Sequence, residues 1–324
     1  MLRQLMLIFL ILFFLLSQNA LAMQNAPDKS AIVIAAFGTS YPSAVGALLS
    51  IVAEVEARYP QTLVKMAFTS NIIRQKWHSR LRDTAYREAH PEVPEYFYQI
   101  KNLLGTLADL QNDGYKNLVV QPTLLTPGEE YLDTQASIKG LLSIKTVKER
   151  WRPFNKIALG RPLMGTWGAE YPYTEDLEKL AMSLAADVEQ AQAKGATLVY
   201  MGHGNEHLST GLYTEFAEMM NQRYPKVTTL VGLVEGQPDF SDLLEQLQAH
   251  AQRKLLLKPL MVVAGDHANK DMAGPDAESW RSQLTAAGYA VEPLLQGLGD
   301  NPHVRQLFID HLQDAATEAG IELR

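Results

Sequence analysis

The chain contains no cysteine. Disulfides, thiolate metal sites and a lipid-modified N-terminal cysteine are therefore excluded. Positive charge is also scarce: 29 Lys and Arg stand against 36 Asp and Glu, a formal net charge of -7. That balance argues against nucleic acid or an anionic membrane as partner. An anionic small molecule remains compatible if a local basic patch receives it. No Gly-x-Gly-x-x-Gly follows the first apolar strand and no P-loop is present, so a nucleotide site has no support.

What is present begins with a leader. Arg3 supplies a positive start, Leu5 to Leu16 is apolar, and Ala20-Leu21-Ala22 is a small-residue cleavage signal. The apolar run falls short of the ~20 residues of a transmembrane helix. Residues 1–22 are read as a cleavable signal peptide, which would place the mature chain in the periplasm of a two-membrane bacterium without stable membrane insertion. Cleavage removes Arg3 and no acidic residue, moving the net charge from -7 to about -8.

The remainder reads as a duplication. Ala31 to Phe37 is a continuous apolar run, as in a parallel strand covered on both faces. It ends in Gly38-Thr39-Ser40. A helix from about Ala44 to Arg58 follows, closed by Arg58-Tyr59-Pro60, and a strand from Leu63 to Phe68 comes next. The same order recurs later: strand Thr197 to Met201, turn Gly202-His203-Gly204, helix Gly211 to Arg223, then Arg223-Tyr224-Pro225 and strand Thr228 to Val234. Leu118 to Pro122 leads to Gly128-Glu129-Glu130 as Leu255 to Pro259 leads to Gly265-Asp266-His267, with six positions from Pro to Gly in each copy. Short strands Ile157 to Leu159 and Ala290 to Leu294 close the halves.

Two βαβαβαβ units result. The expected fold is α/β: two similar flavodoxin-like lobes, 28–165 and 166–324, each with a parallel four-stranded sheet, related by a pseudo-twofold and facing across a cleft. The main asymmetry is an insertion from about His78 to Pro94 that carries Arg80, Arg82, Arg87 and His90.

Ligands of open α/β sheets sit beyond the carboxyl ends of the strands. The second lobe places His203, Glu235 and His267 there; the matching first-lobe positions are Thr39, about Thr69, and Glu130. Adjacent strands lie ~4.8 Å apart, so three such tips can converge on one ion. Two imidazoles and a carboxylate suit cobalt, nickel, zinc or iron. Each residue also has a plain structural reading: His203 as a turn residue, Glu235 as a cap for a helix near Asp239, His267 as a solvated loop histidine. Glu206 and His207 are expected at the rim. His78, His90, His250, His303 and His311 are expected at the surface.

The motifs Phe37-Gly-Thr-Ser-Tyr41, Ala67-Phe-Thr-Ser70, Gly128-Glu-Glu-Tyr131, Met201-Gly-His-Gly204, Val234-Glu235, Leu260-Met-Val-Val-Ala-Gly-Asp-His267 and Gly297-Leu-Gly-Asp-Asn-Pro302 resemble those of the anaerobic sirohydrochlorin cobaltochelatases, in order and over nearly all of the mature chain. The resemblance implies a class II chelatase, a lyase-type enzyme of anaerobic cobalamin biosynthesis. Such an enzyme inserts Co2+, or Fe2+ or Ni2+, into a sirohydrochlorin-like tetrapyrrole without ATP and with no cofactor beyond the metal substrate. It implies metal binding by His203, Glu235 and His267, and catalytic roles for His203, His267 and Glu130. A histidine that some members carry just before the Gly-Glu-Glu-Tyr motif is Leu124 or an apolar neighbour here. The substrate's carboxylates make Arg74, Lys76, Arg80, Arg82 and Arg87 candidate contacts; the alternative is a solvated basic helix face. The alternative function is a non-catalytic periplasmic carrier of metal or a haem-type tetrapyrrole. Assembly into a homo-oligomer is left open.

Overall fold

A computed structural model describes residues 28–205 and 211–324. The signal peptide expected at 1–22, Glu206 and His207 lie outside the described residues. The first half runs β1 (Lys29–Ala36), α1 (Val45–Arg58), β2 (Leu63–Phe68), α2 (Asn71–Arg80), α3 (Thr84–Ala89), α4 (Leu103–Asn112), β3 (Tyr115–Pro122), α5 (Glu129–Leu142) and β4 (Lys156–Leu159). The second runs α6 (Tyr173–Ser183), α7 (Ala185–Lys194), β5 (Thr197–Gly204), α8 (Gly211–Arg223), β6 (Thr229–Glu235), α9 (Phe240–Gln248), β7 (Lys254–Leu260), α10 (Trp280–Ala286), β8 (Ala290–Pro293) and α11 (Pro302–Ala319). No helix among the described residues is long and apolar enough to cross a membrane.

The duplication is real at the level of topology. Two four-stranded sheets have the orders β2-β1-β3-β4 and β6-β5-β7-β8. Every pairing is parallel. The first strand of each half lies between the second and third, as the flavodoxin-like reading requires. The stretches Ala31 to Ala36 in β1 and Leu198 to Met201 in β5 are apolar and buried, as suits strands covered on both faces. Ile32 and Ile34 of β1 join Leu198 and Tyr200 of β5 in one core that runs through both lobes. The alternate residues turn outward: Val33 and Ala35 pack on Leu107 of α4, and Val199 and Met201 pack on Leu243 of α9 and on Trp280.

The last helix does not stay with its own sheet. α11 packs on β3, β4 and α1 of the first half as well as on α6. Its start is well specified: Pro302 occupies the first turn and the Asn301 side chain accepts from the His303 N–H. The second half, expected as a lobe at 166–324, thus lends its last helix to the sheet of the first half, expected at 28–165. Arg305 of α11 reaches back to Glu54 of α1 at 2.6 Å.

One buried network fixes that crossing. Arg161, just after β4, makes a two-pronged ion pair with Asp176 of α6, Nε to Oδ2 at 2.6 Å and Nη2 to Oδ1 at 3.1 Å. Its Nη1 donates to Asp314 at 2.8 Å. His311, expected at the surface, is instead only 1 % exposed. Its Nδ1 meets the Arg161 carbonyl and its Nε2 meets Asp176, each at 3.1 Å. Both partners are acceptors, so the two bonds together need a proton on each ring nitrogen. The sequence did carry the signal: Val304, Leu307, Phe308, His311, Leu312 and Ala315 form one helical stripe, and all are buried.

Removing one partner from such a network leaves charge uncompensated in the interior. Asp176→Ala should lower the unfolding free energy by about 3–5 kcal/mol, read from urea denaturation. Burial alone would raise the Asp176 pKa, but His311 and Arg161 outweigh it and hold the carboxyl below its usual value. The stabilisation is therefore complete above the ordinary aspartate pKa of about 3.9 and is lost as pH falls through the lower folded value. The variant should lose that part of the acid dependence.

Candidate active site

Strand β5 extends past the apolar run that predicted it, through Gly202-His203-Gly204. Both glycines are required by close approach. A Cβ on Gly202 would strike the Tyr213 ring and Leu233, and one on Gly204 would fall on the Glu235 carbonyl oxygen. Gly204 also has a φ of 78°. His203 is thereby held at a strand end, not in a loose turn. Its Nδ1 lies 3.1 Å from the Gly204 carbonyl oxygen, which leaves Nε2 as the free edge when Nδ1 carries the proton.

His267 follows β7. It leads into a single π-type turn, Ala268–Met272. The Asn269 side-chain amide donates to the carbonyls of Ala264 and Gly265, each at 2.8 Å, and pins this turn. Asp271 accepts from the His267 Nδ1 at 2.5 Å. Such a carboxylate fixes the tautomer and presents Nε2 outward. The two imidazoles then stand edge to face, with ring centroids 5.0 Å apart. The Phe37 ring of the opposite lobe is 6.4 Å from His203.

Glu235 ends β6, one ladder position from His203, because Gly204 pairs with Glu235. Its Oε2 is 3.9 Å from the His203 Nδ1. It does not cap the following helix: Asp239 and Asp242 form that capping box themselves. Glu235 is exposed and faces the Nδ1 edge of His203, so reaching an ion on Nε2 requires its side chain to swing. Among the described residues, no three His, Asp or Glu side chains stand close enough together to form a finished metal site. The structure brings His203 together with His267 and with Glu235 pairwise, in an open arrangement.

Glu130, the second residue of α5, is half-buried and lines the same cleft as both histidines. The cleft has a volume of about 390 Å³ and takes its walls from both lobes, within the range of small-molecule sites. Phe37, Ile72 and Leu124 form one apolar side; Met261, Val262 and Val263 form the other. The lobes meet closely at its floor, where Asn205 donates to Thr126 at 3.3 Å.

Two further groups escaped the sequence reading. The Tyr213 hydroxyl accepts from the Gly204 N–H at 3.4 Å and so supports the His203 turn. Burial, with the charge of Glu130 adding to it, pushes its pKa up to about 12 against the hydrogen bonds from Gly204 and Thr126. It remains a neutral phenol, a support and not a base. Asp266 lies at the lip. Burial would raise its pKa, but Lys270, Tyr41 and Lys76 prevail and hold it below the usual range. Tyr213 had no signal beyond an aromatic on a helix; Asp266 had one, its place beside His267 in Gly265-Asp266-His267.

The basic insertion is mostly occupied with the fold. Arg80 donates to the Ser40 carbonyl at 2.7 Å. Its guanidinium also stacks 4.7 Å from the Trp77 ring and 4.6 Å from the Tyr86 ring. Arg87 pairs with Glu95 at 3.0 Å. Neither lines the cleft.

Two parallel α/β lobes that repeat one strand order and close an apolar cleft, with imidazoles on one side and a carboxylate on the other, define the class II chelatase architecture. The family model described as cobalt chelatase (CbiK) matches residues 30–317. The sirohydrochlorin cobaltochelatase of Salmonella typhimurium is 30% identical over 293 residues, covering 90% of this chain and 98% of that protein. That of Nitratidesulfovibrio vulgaris is 28% identical over 295 residues, covering 91% and 93%. Among solved structures, SirB from Bacillus subtilis with Fe3+ gives a TM-score of 0.58 at 13% identity, covering 91% of this chain and all of that one. The cobalt complex of SirB from Bacillus subtilis subspecies spizizenii gives 0.56 at 14% identity, covering 91% and 98%. These two likenesses concern the fold. The chain belongs to the cobalt chelatase (CbiK) family and is a metal chelatase.

Asp271→Ala tests the support of His267. It should lower metal affinity or turnover about 10–100-fold. The thermal midpoint should hold, since Asp271 is exposed and its loss opens no core.

Proposed function

We propose that this chain inserts a divalent metal, cobalt(II) in the first place and iron(II) by the same chemistry, into sirohydrochlorin outside the cytoplasm. The observation that carries the reading is the pair of imidazoles, His203 and His267, whose Nδ1 atoms are both engaged and whose Nε2 edges are left for an ion or a proton. Family membership and the substrates named for the two relatives support it.

The reaction is an exchange. The metal enters four ring nitrogens, two pyrrole N–H protons leave, and no bond to phosphate is spent. His203 and His267 deliver the ion, with Glu235 as a third and movable ligand. Because the trio is open, positions on the ion stay available to the incoming macrocycle. As the ring takes over the metal, the freed imidazoles can accept the departing protons near neutral pH. Glu130, on the opposite side of the cleft, takes or relays the second proton. The apolar walls seat the flat macrocycle between the lobes and exclude water from the exchange.

His267→Ala should reduce cobalt insertion into sirohydrochlorin to near background, followed by the shift of the tetrapyrrole absorption bands, with the circular dichroism spectrum unchanged. Full activity in this variant would remove the assignment. Tight tetrapyrrole binding with no acceleration of insertion in the unaltered protein would instead favour the carrier reading, which the leader motivates. The leader itself gives a separate expectation: in a two-membrane host the periplasmic fraction should contain protein beginning at Met23, by intact-mass measurement. A cytoplasmic chain beginning at Met1 would contradict export.

A further inference from the structure

A substrate bearing many carboxylates must enter a chain of net charge -7. The cleft lining resolves that conflict at one place. Among the described residues that line it, Lys76 of α2 is the only lysine or arginine. Of the other cations of the same segment, Arg80 is spent on Ser40 and two aromatic rings and Arg87 on Glu95, while Arg74 and Arg82 do not line the cleft. Lys76 is exposed and forms no ion pair within 4.0 Å among the described residues. Its charge reaches Asp266 across the cleft, and Asp266 is already paired with Lys270 at 2.9 Å. The Lys76 ammonium is therefore available to a ligand.

Its setting selects the kind of ligand. Ile72 and Ile73 share α2 with Lys76 and face the same cleft, and Ile72 is 69% exposed. An apolar surface with an ammonium about one helical turn further along matches a flat hydrophobic ring that carries a carboxylate on a short arm. We propose that Lys76 binds a peripheral carboxylate of the tetrapyrrole and sets the macrocycle's orientation, with Ile72 packed on the ring. This rests on the metallation reading above and names the residue that gives that site its preference for an acidic substrate.

The test is a comparison of Lys76→Met, Lys76→Glu and Lys76→Arg in the full mature chain. Metal-free sirohydrochlorin is titrated by absorbance, and cobalt insertion is then measured at varied substrate. Lys76→Met should weaken binding and raise KM about tenfold, the scale of one charge-assisted hydrogen bond. Lys76→Glu should exceed it, and Lys76→Arg should restore most of the loss. The kcat at saturation should stay within about twofold, since the metal-bearing lobe is untouched. Added salt should weaken binding less in Lys76→Met than in the unaltered protein. Equal binding and KM in the Met and Glu variants, beside an active unaltered protein, would overturn the role of Lys76 alone. Failure of the unaltered protein to bind or metallate sirohydrochlorin would overturn the functional reading beneath it.

Discussion

The site depends on parallel strands β5 and β7 ending side by side. Gly202 pairs with Leu260 at the last rung, so whatever follows the two strands is projected from neighbouring points. The chain uses this to set His203 against His267 with ring centroids 5.0 Å apart. Two imidazoles brought that close, each with Nδ1 committed, present two Nε2 edges in a small space. Every other feature of the second lobe's tip either holds that pair or keeps it open. Gly204 lets the backbone pass Glu235, Tyr213 takes the Gly204 N–H, Asn269 pins the turn after β7, and Asp271 orients His267.

The first lobe repeats the architecture but not the chemistry. Where the second lobe has His203, the first has Thr39, whose carbonyl accepts from the Trp77 indole at 2.7 Å and whose side chain is buried. Where the second has His267, the first has Glu130. Duplication gave two equivalent sets of strand ends, and only the second carries a pair of imidazoles. The division suits an exchange reaction, in which one face offers the metal and the other handles the macrocycle and its protons.

Much of this was legible in the sequence because it lies in period and spacing. Apolar runs gave the strands, and the repeated Pro-to-Gly spacing gave the duplication and aligned His267 with Glu130. What escaped depended on contacts between distant segments. Strand β5 continues through two glycines that no propensity assigns to a strand; ladder pairing with β6 holds them there. The return of α11 to the first sheet has no local signature, and His311 looked like a surface residue until that helix had a neighbour. Its apolar stripe was the missed clue. The shared positive charge of Arg80 and Lys76 pointed to one shared role, yet stacking on Trp77 takes one into the fold while the other faces the cleft.

The central claim is that His203 and His267 together gather the divalent ion. X-ray absorption at the cobalt edge, on the mature chain loaded with one equivalent of cobalt(II), measures this most directly. Two imidazole scatterers are expected, with one lost in His203→Ala and one lost in His267→Ala. An all-oxygen shell, or a shell unchanged in both variants, would contradict the account.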